Sequence, residues 1–113
     1  MAEMTQIDMF MQAHRKHDQL TSMMAAAKVA GRVRSQNLLL LVEYANANMT
    51  DEEAGIRTGL KAKGASYWRR CSDLRGLGLI EPTGEKRLST MGELRMVCRI
   101  TALGREVLEG VAG

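Results

Sequence analysis

Met49-Thr50-Asp51-Glu52-Glu53, Thr58-Gly59-Leu60, Ser66-Tyr67-Trp68-Arg69-Arg70-Cys71-Ser72-Asp73-Leu74-Arg75 and Thr83-Gly84-Glu85-Lys86-Arg87 follow one another in the middle of this chain. Thr50 and Glu53 have the spacing of a capping box, which places a helix from Asp51 to Thr58, and Gly59 breaks it. The three acids suit the positive end of that helix. A second, Arg-loaded helix is expected over about 65–77, with Gly78 as its stop. Strands follow at 79–83 and 95–100, joined by an eleven-residue loop flanked by Gly84 and Gly92. Met49 forms a minimal strand beside that hairpin. Helix, tight turn, helix and hairpin in this order read as a helix-turn-helix with a β-wing.

Working outward, Thr21 caps a helix to about Ala30, which Gly31 ends. The next helix spans roughly 34–47. Its Leu38, Leu41, Val42 and Ala45 make one apolar face, with Leu40 and Tyr44 on a second, so it should lie centrally. Thr101 caps a last helix through about Leu108. Residues 1–20 are an N-terminal extension, in which Ile7, Phe10, Met11 and His14 fall at helical spacing. Packing on the domain, pairing with a second copy and fraying all remain open for it. Residues 21–113 are expected to form one domain. The fold class is mostly α with a small β-hairpin wing: a winged helix-turn-helix with extra N-terminal and C-terminal helices.

Hydrophobic residues make up 45% of the 113 positions, enough for a core. Phe10, Tyr44, Tyr67 and Trp68 are the four aromatic residues, so the core must be aliphatic and Met-rich. That scarcity argues against a base-stacking binder of single strands. The net charge is only +3, but between Arg57 and Arg75 six basic residues face one acid, Asp73. A local cationic stripe points to a polyanion better than the whole-chain balance does. The longest apolar run, Leu38 to Val42, is too short to span a bilayer. With no secretory signal, Cys71 and Cys98 are expected as free, buried thiols in a reducing cytoplasm.

In the Arg-loaded helix Tyr67, Cys71, Leu74 and Leu77 recur at core spacing, leaving Ser66, Trp68, Arg69, Ser72 and Arg75 nearer solvent. Arginine grips guanine edges or phosphate in a bidentate way, and serine reaches phosphate. Arg69 is assigned to DNA. Arg70 points about 100° away and should pair with Asp73 or Glu81. Trp68 is large and apolar for a solvent position, so either the core register shifts by one or the ring lies against sugar-phosphate or a partner. Lys61 and Lys63 sit in the turn, where backbone amides already favour phosphate. Lys86 and Arg87 mark the wing tip, with Ser89 and Thr90 as further donors. The candidate DNA contacts are therefore Lys61, Lys63, Ser66, Trp68, Arg69, Ser72, Arg75, Lys86 and Arg87. No metal site is expected, because His14, His17 and Asp18 lack a fourth ligand. No catalytic group is expected, since both histidines fall in the N-terminal extension, and no cofactor is implied.

Thr21-Ser22-x-x-Ala25-Ala26, Met49-Thr50-Asp51-Glu52-Glu53, Thr58-Gly59-Leu60, Arg69-Arg70-x-x-Asp73-Leu74-Arg75, Gly78-Leu79-Ile80 and Thr83-Gly84-Glu85-Lys86-Arg87 stand in order. As a set they resemble the small winged helix-turn-helix DNA-binding proteins of actinobacterial phages and their hosts, over roughly residues 18–108. The resemblance implies a winged helix that binds DNA. One departure is Ala54-Gly55-Ile56, where similar proteins place a large apolar residue first and a charged one third. An exposed Ile56 would mark a protein contact or a rotated helix.

The expected function is a phage or prophage transcriptional regulator that reads the major groove of double-stranded DNA as a homodimer. Phe10, Met11, Val107 and Leu108 are candidates for the dimer seam. Two alternatives stand beside it: a winged-helix module of phage DNA replication or recombination, and a protein-interaction module that meets a host protein instead of DNA.

Overall fold

Asn37, Leu40, Leu41 and Tyr44 recur at i, i+3, i+4 and i+7, and they form the buried stripe of the central helix in a computed structural model of the protein. The structure describes residues 26–112 apart from position 32. The expected N-terminal extension, with Phe10, Met11 and the two histidines, lies outside the described residues. Residues 26–30 are helical (α1), and the elements that follow are α2 (Ser35–Asn46), α3 (Asp51–Arg57), α4 (Tyr67–Gly76), β1 (Ile80–Leu88), β2 (Leu94–Ile100) and α5 (Ala102–Ala112). The described chain is thus five helices with a two-stranded antiparallel hairpin, an arrangement compatible with a small winged helix.

α2 packs against α3, α4, α5 and β2, the central place expected of it. Its faces are rotated from the expected ones. Val42 is exposed and Leu38 and Ala45 only half-buried, while Asn37 is interior. The side-chain amide of Asn37 explains this, because both its ends are satisfied there. Its Oδ1 accepts from the Arg34 amide (3.1 Å) and its Nδ2 donates to the Arg70 carbonyl (3.0 Å). A buried amide with both ends bonded loses little on leaving water.

α3 is held by the expected capping box. Thr50 Oγ1 accepts from the Glu53 amide (3.1 Å), and Glu53 Oε1 accepts from the Thr50 amide (2.8 Å). α4 ends at Gly76, and Gly78, at φ +76°, supplies the left-handed residue that turns the chain into β1. Met49 pairs with Cys98 through two backbone hydrogen bonds, the minimal strand expected of it.

The hairpin departs most from expectation. Its strands run on to Leu88 and from Leu94, so the loop is residues 89–93 and not eleven residues. Thr83-Gly84-Glu85 lies inside β1 as a bulge, since Pro82 pairs with Cys98 and Lys86 with Met96, leaving these three residues opposite Val97. Thr83 Oγ1 donates to the Val97 carbonyl (3.0 Å) and accepts from the Glu85 amide (3.1 Å), replacing ladder bonds lost at the bulge. Residues that favour turns also build bulges. The inner end of the hairpin, with Ile80, Val97, Cys98 and Ile100, is core; beyond it both strands project into solvent.

Thr101 caps α5 as expected, its Oγ1 accepting from the Gly104 amide (3.0 Å). Val107, a candidate for a dimer seam, is instead a core residue at 1% exposure, and Leu108 is half-buried. Amphipathic spacing at a chain end does not tell an intramolecular face from an intermolecular one.

The Ala54-Gly55-Ile56 departure has a packing cause. A Cβ on Gly55 would lie 2.6 to 2.9 Å from three ring carbons of Tyr67, so α3 and α4 approach over bare backbone. Ala54 is buried and Ile56 half exposed, so α3 faces the core with its small residues. Gly55→Ala should therefore destabilise the fold by about 1–2 kcal/mol. Overpacking of roughly 1–3 kcal/mol outweighs a helix-propensity gain of about 1 kcal/mol. Urea unfolding measures this, and Trp68 fluorescence should shift with the displaced Tyr67 ring. An unchanged or increased stability would show that the helices can separate freely.

Candidate nucleic-acid interface

Cys71 and Leu74 of α4 are fully buried, and Trp68, Arg69, Ser72 and Asp73 are exposed, so the expected register holds. Trp68 is 53% exposed and stands edge-on against Tyr67, with ring centroids 5.3 Å apart and planes at 87°. Such T-shaped packing fixes the indole in an outward pose. Arg69 makes no ion pair among the described residues, and Arg70 pairs with Asp73 (3.1 Å) as expected. Glu81, the other expected partner, binds Arg99 instead (2.9 Å).

Three of the candidate cations are held by carboxylates. Arg75 is not on the outward face. Its guanidinium makes a bidentate pair with Asp51, Nη1 to Oδ1 at 2.7 Å and Nη2 to Oδ2 at 2.9 Å. Lys61 is bound to Glu52 (2.8 Å) and Arg87 to Glu53 (3.0 Å). The three consecutive acids of α3 thus each hold a different element: α4, the turn and the hairpin. In the sequence alone these acids read as partners of the helix dipole. The missed signal is that three carboxylates on one helical turn also point in different directions. Lys86 and Arg87 are strand residues paired with Met96 and Arg95, not the hairpin tip.

Ser66 is half-buried where the chain enters α4, and Lys63 and Lys86 are exposed with no ion pair among the described residues. The unneutralised part of the predicted stripe is therefore Arg57, Lys63 and Arg69. Electrostatic attraction for a polyanion is correspondingly weaker than the sequence count suggested.

The hairpin tip folds back towards the helices. Glu52 accepts from the Thr90 amide and from the Thr90 hydroxyl, both at 2.8 Å. Between the tip and α4 lies a groove lined by the apolar Trp68, Met91, Leu94 and Met96 and by charged residues of both signs, among them Glu52 and Arg95. Met91 is 83% exposed.

Beneath the outward face runs a buried polar chain. The Tyr44 hydroxyl donates to Asp51 Oδ1 (2.9 Å) and lies 3.7 Å from Cys71 Sγ, while Arg75 Nη1 lies 3.7 Å from Cys98 Sγ. Burial pushes the Cys71 thiol up to about 12 and also raises Cys98, so both stay protonated at neutral pH. Both cysteines are free. Burial likewise raises Tyr44, and the Asp51 pairing raises Arg75 further, so the tyrosine stays neutral and the arginine charged across the physiological range. Among the described residues no three His, Cys, Asp or Glu side chains are grouped to hold a metal ion, and no helix is long and apolar enough to cross a membrane.

Two outcomes follow for the acidic turn. Asp51→Ala should cost about 2–3 kcal/mol in urea unfolding, because it strands the partly buried Arg75 guanidinium and the Tyr44 hydroxyl. A loss below about 0.5 kcal/mol, the size of an exposed pair, would show that the network carries no weight. Hydrogen bonding to Lys61 and Thr90 lowers Glu52 from its ordinary 4.5 to about 2. A depressed carboxylate stabilises the fold above its unfolded value and loses that contribution as pH falls through the folded value. The tether to Thr90 should therefore release between about pH 4.5 and pH 2. Amide exchange at Thr90 reads this, and protection unchanged across that window would exclude the tether. No protein-family model matches this chain, and no curated protein or solved structure is found to be similar to it.

Proposed function

We propose that this chain is a winged helix-turn-helix protein that binds double-stranded DNA with the outward face of α4, and that it serves as a transcriptional regulator of phage or prophage type. The observation that carries the reading is the face itself. Arg69 and Ser72 are exposed on a helix whose other side is anchored in the core, and Arg69 has no ion-pair partner among the described residues. Arginine presented from a rigid helix suits bidentate contact with guanine in a major groove. Lys63 in the turn and Lys86 on the hairpin lie to either side of α4 in the chain and supply charge for the sugar-phosphate backbone. Trp68 is positioned for apolar contact with sugar or a thymine methyl. Ser66 is available through its hydroxyl, whereas Arg75, Lys61 and Arg87 act by holding the frame.

The regulator works as a homodimer reading half-sites about one helical turn apart, roughly 34 Å. Light scattering tests this, and a strict monomer at micromolar concentration overturns the dimer. A second reading, a module that docks a host or replication protein, is favoured by one observation: Trp68, Met91, Leu94 and Met96 are all exposed around a single groove.

Salt-titrated gel shifts on random and genomic fragments separate the readings. The regulator should prefer a few sites by about 10³-fold or more and weaken steeply with salt. Arg69→Ala should cost about 1–3 kcal/mol and flatten the preference among sites, whereas Lys86→Ala should weaken all sequences alike. No retardation of any duplex at low salt would sink the DNA reading in favour of protein docking.

A further inference from the structure

Arg34 stands outside the helix-turn-helix, immediately before α2, and no motif in the sequence singles it out. In the fold it borders a cleft shared with Arg69, Arg70 and Ser72 of α4. The one acid lining that cleft is Asp73, which Arg70 holds. Three arginines, two on α4 and one at the N-cap of α2, therefore line one opening with a single carboxylate. Arg34, like Arg69, makes no ion pair among the described residues. Like charges lining one opening repel, and an anion seated there reduces the repulsion.

The cleft is also built to keep its shape. Asn37, 2% exposed, accepts from the Arg34 amide and donates to the Arg70 carbonyl, so one buried side chain fixes the start of α2 against the middle of α4. Arg69 and Ser72 belong both to the cleft and to the outward face of α4, so a duplex seated on that face brings its backbone past the opening.

We infer that this cleft grips a phosphodiester of the duplex backbone, with Arg34 and Arg70 as the phosphate ligands and Asp73 as the internal anion that the phosphate displaces. The inference rests on the DNA reading above and extends its contact surface to α2, on the side of α4 away from the hairpin groove. A planar guanidinium offers paired donors to phosphate oxygens, which a lysine cannot match.

Two exposed substitutions test it in opposite directions. Arg34→Gln keeps the backbone amide that bonds to Asn37, and should weaken binding to specific and random duplexes equally, by roughly tenfold near 0.1 M salt. The slope of log affinity against log salt should become shallower by about one. Asp73→Asn frees Arg70 and should tighten binding several-fold, a gain that a merely structural role for Arg34 does not produce. If Arg34→Gln and Asp73→Asn both bind as the parent does while Arg69→Ala is impaired, the cleft is not a phosphate site and the DNA reading survives. If the parent chain binds no duplex, both fall.

Discussion

Asp51, Glu52 and Glu53 open a helix of only seven residues, yet they tie together the parts on which everything outward depends. Asp51 holds α4 through Arg75, Glu52 holds the turn and hairpin tip through Lys61 and Thr90, and Glu53 holds β1 through Arg87. The capping box uses Glu53 a second time, on the Thr50 amide. A short helix has little stability of its own. Here it acts as a hub whose carboxylates fix the angle between the exposed helix and the hairpin. The Asp51–Arg75 pair is the strongest of the three links, being bidentate, partly shielded and joined by the Tyr44 hydroxyl.

That arrangement changes what the basic stripe means. Counted along the chain, positions 57–75 carry a large local excess of positive charge. In three dimensions Lys61, Arg70 and Arg75 are neutralised by carboxylates, two of them from outside the stripe. What faces solvent is a narrower cationic strip centred on Arg69, with an apolar groove on the hairpin side and the Arg34 cleft on the other.

Much of the frame was legible in local chemistry. The Thr50–Glu53 box, the Gly78 stop, the Thr101 cap and the Cys71–Leu74 register are all short-range or strictly periodic signals. The misses share a cause, which is that the deciding partner is distant in sequence. Leu38 to Val42 is uniformly apolar, so periodicity could not say that Asn37 would displace Val42 from the buried stripe. Thr83-Gly84-Glu85 reads as a turn, and only pairing with Val97 makes it a bulge. Arg75 and Arg87 look like ligand contacts until α3 comes alongside. Arg34 was invisible as a site residue because its neighbours Arg69 and Arg70 are brought to it by tertiary packing.

The tie between Glu52 and Thr90 has a bearing on how any complex would be measured. Thr90 is exposed and Lys61 partly so, while the Glu52 side chain is largely covered, so mobile ions that shield a nucleic acid backbone also shield this clasp in part. Raising ionic strength would thus slacken the hairpin at the same time as it competes for phosphates. An ionic-strength titration then reports a sum of ion displacement from the polymer and stiffness lost by the protein. Counting phosphate contacts from its gradient alone would overstate them.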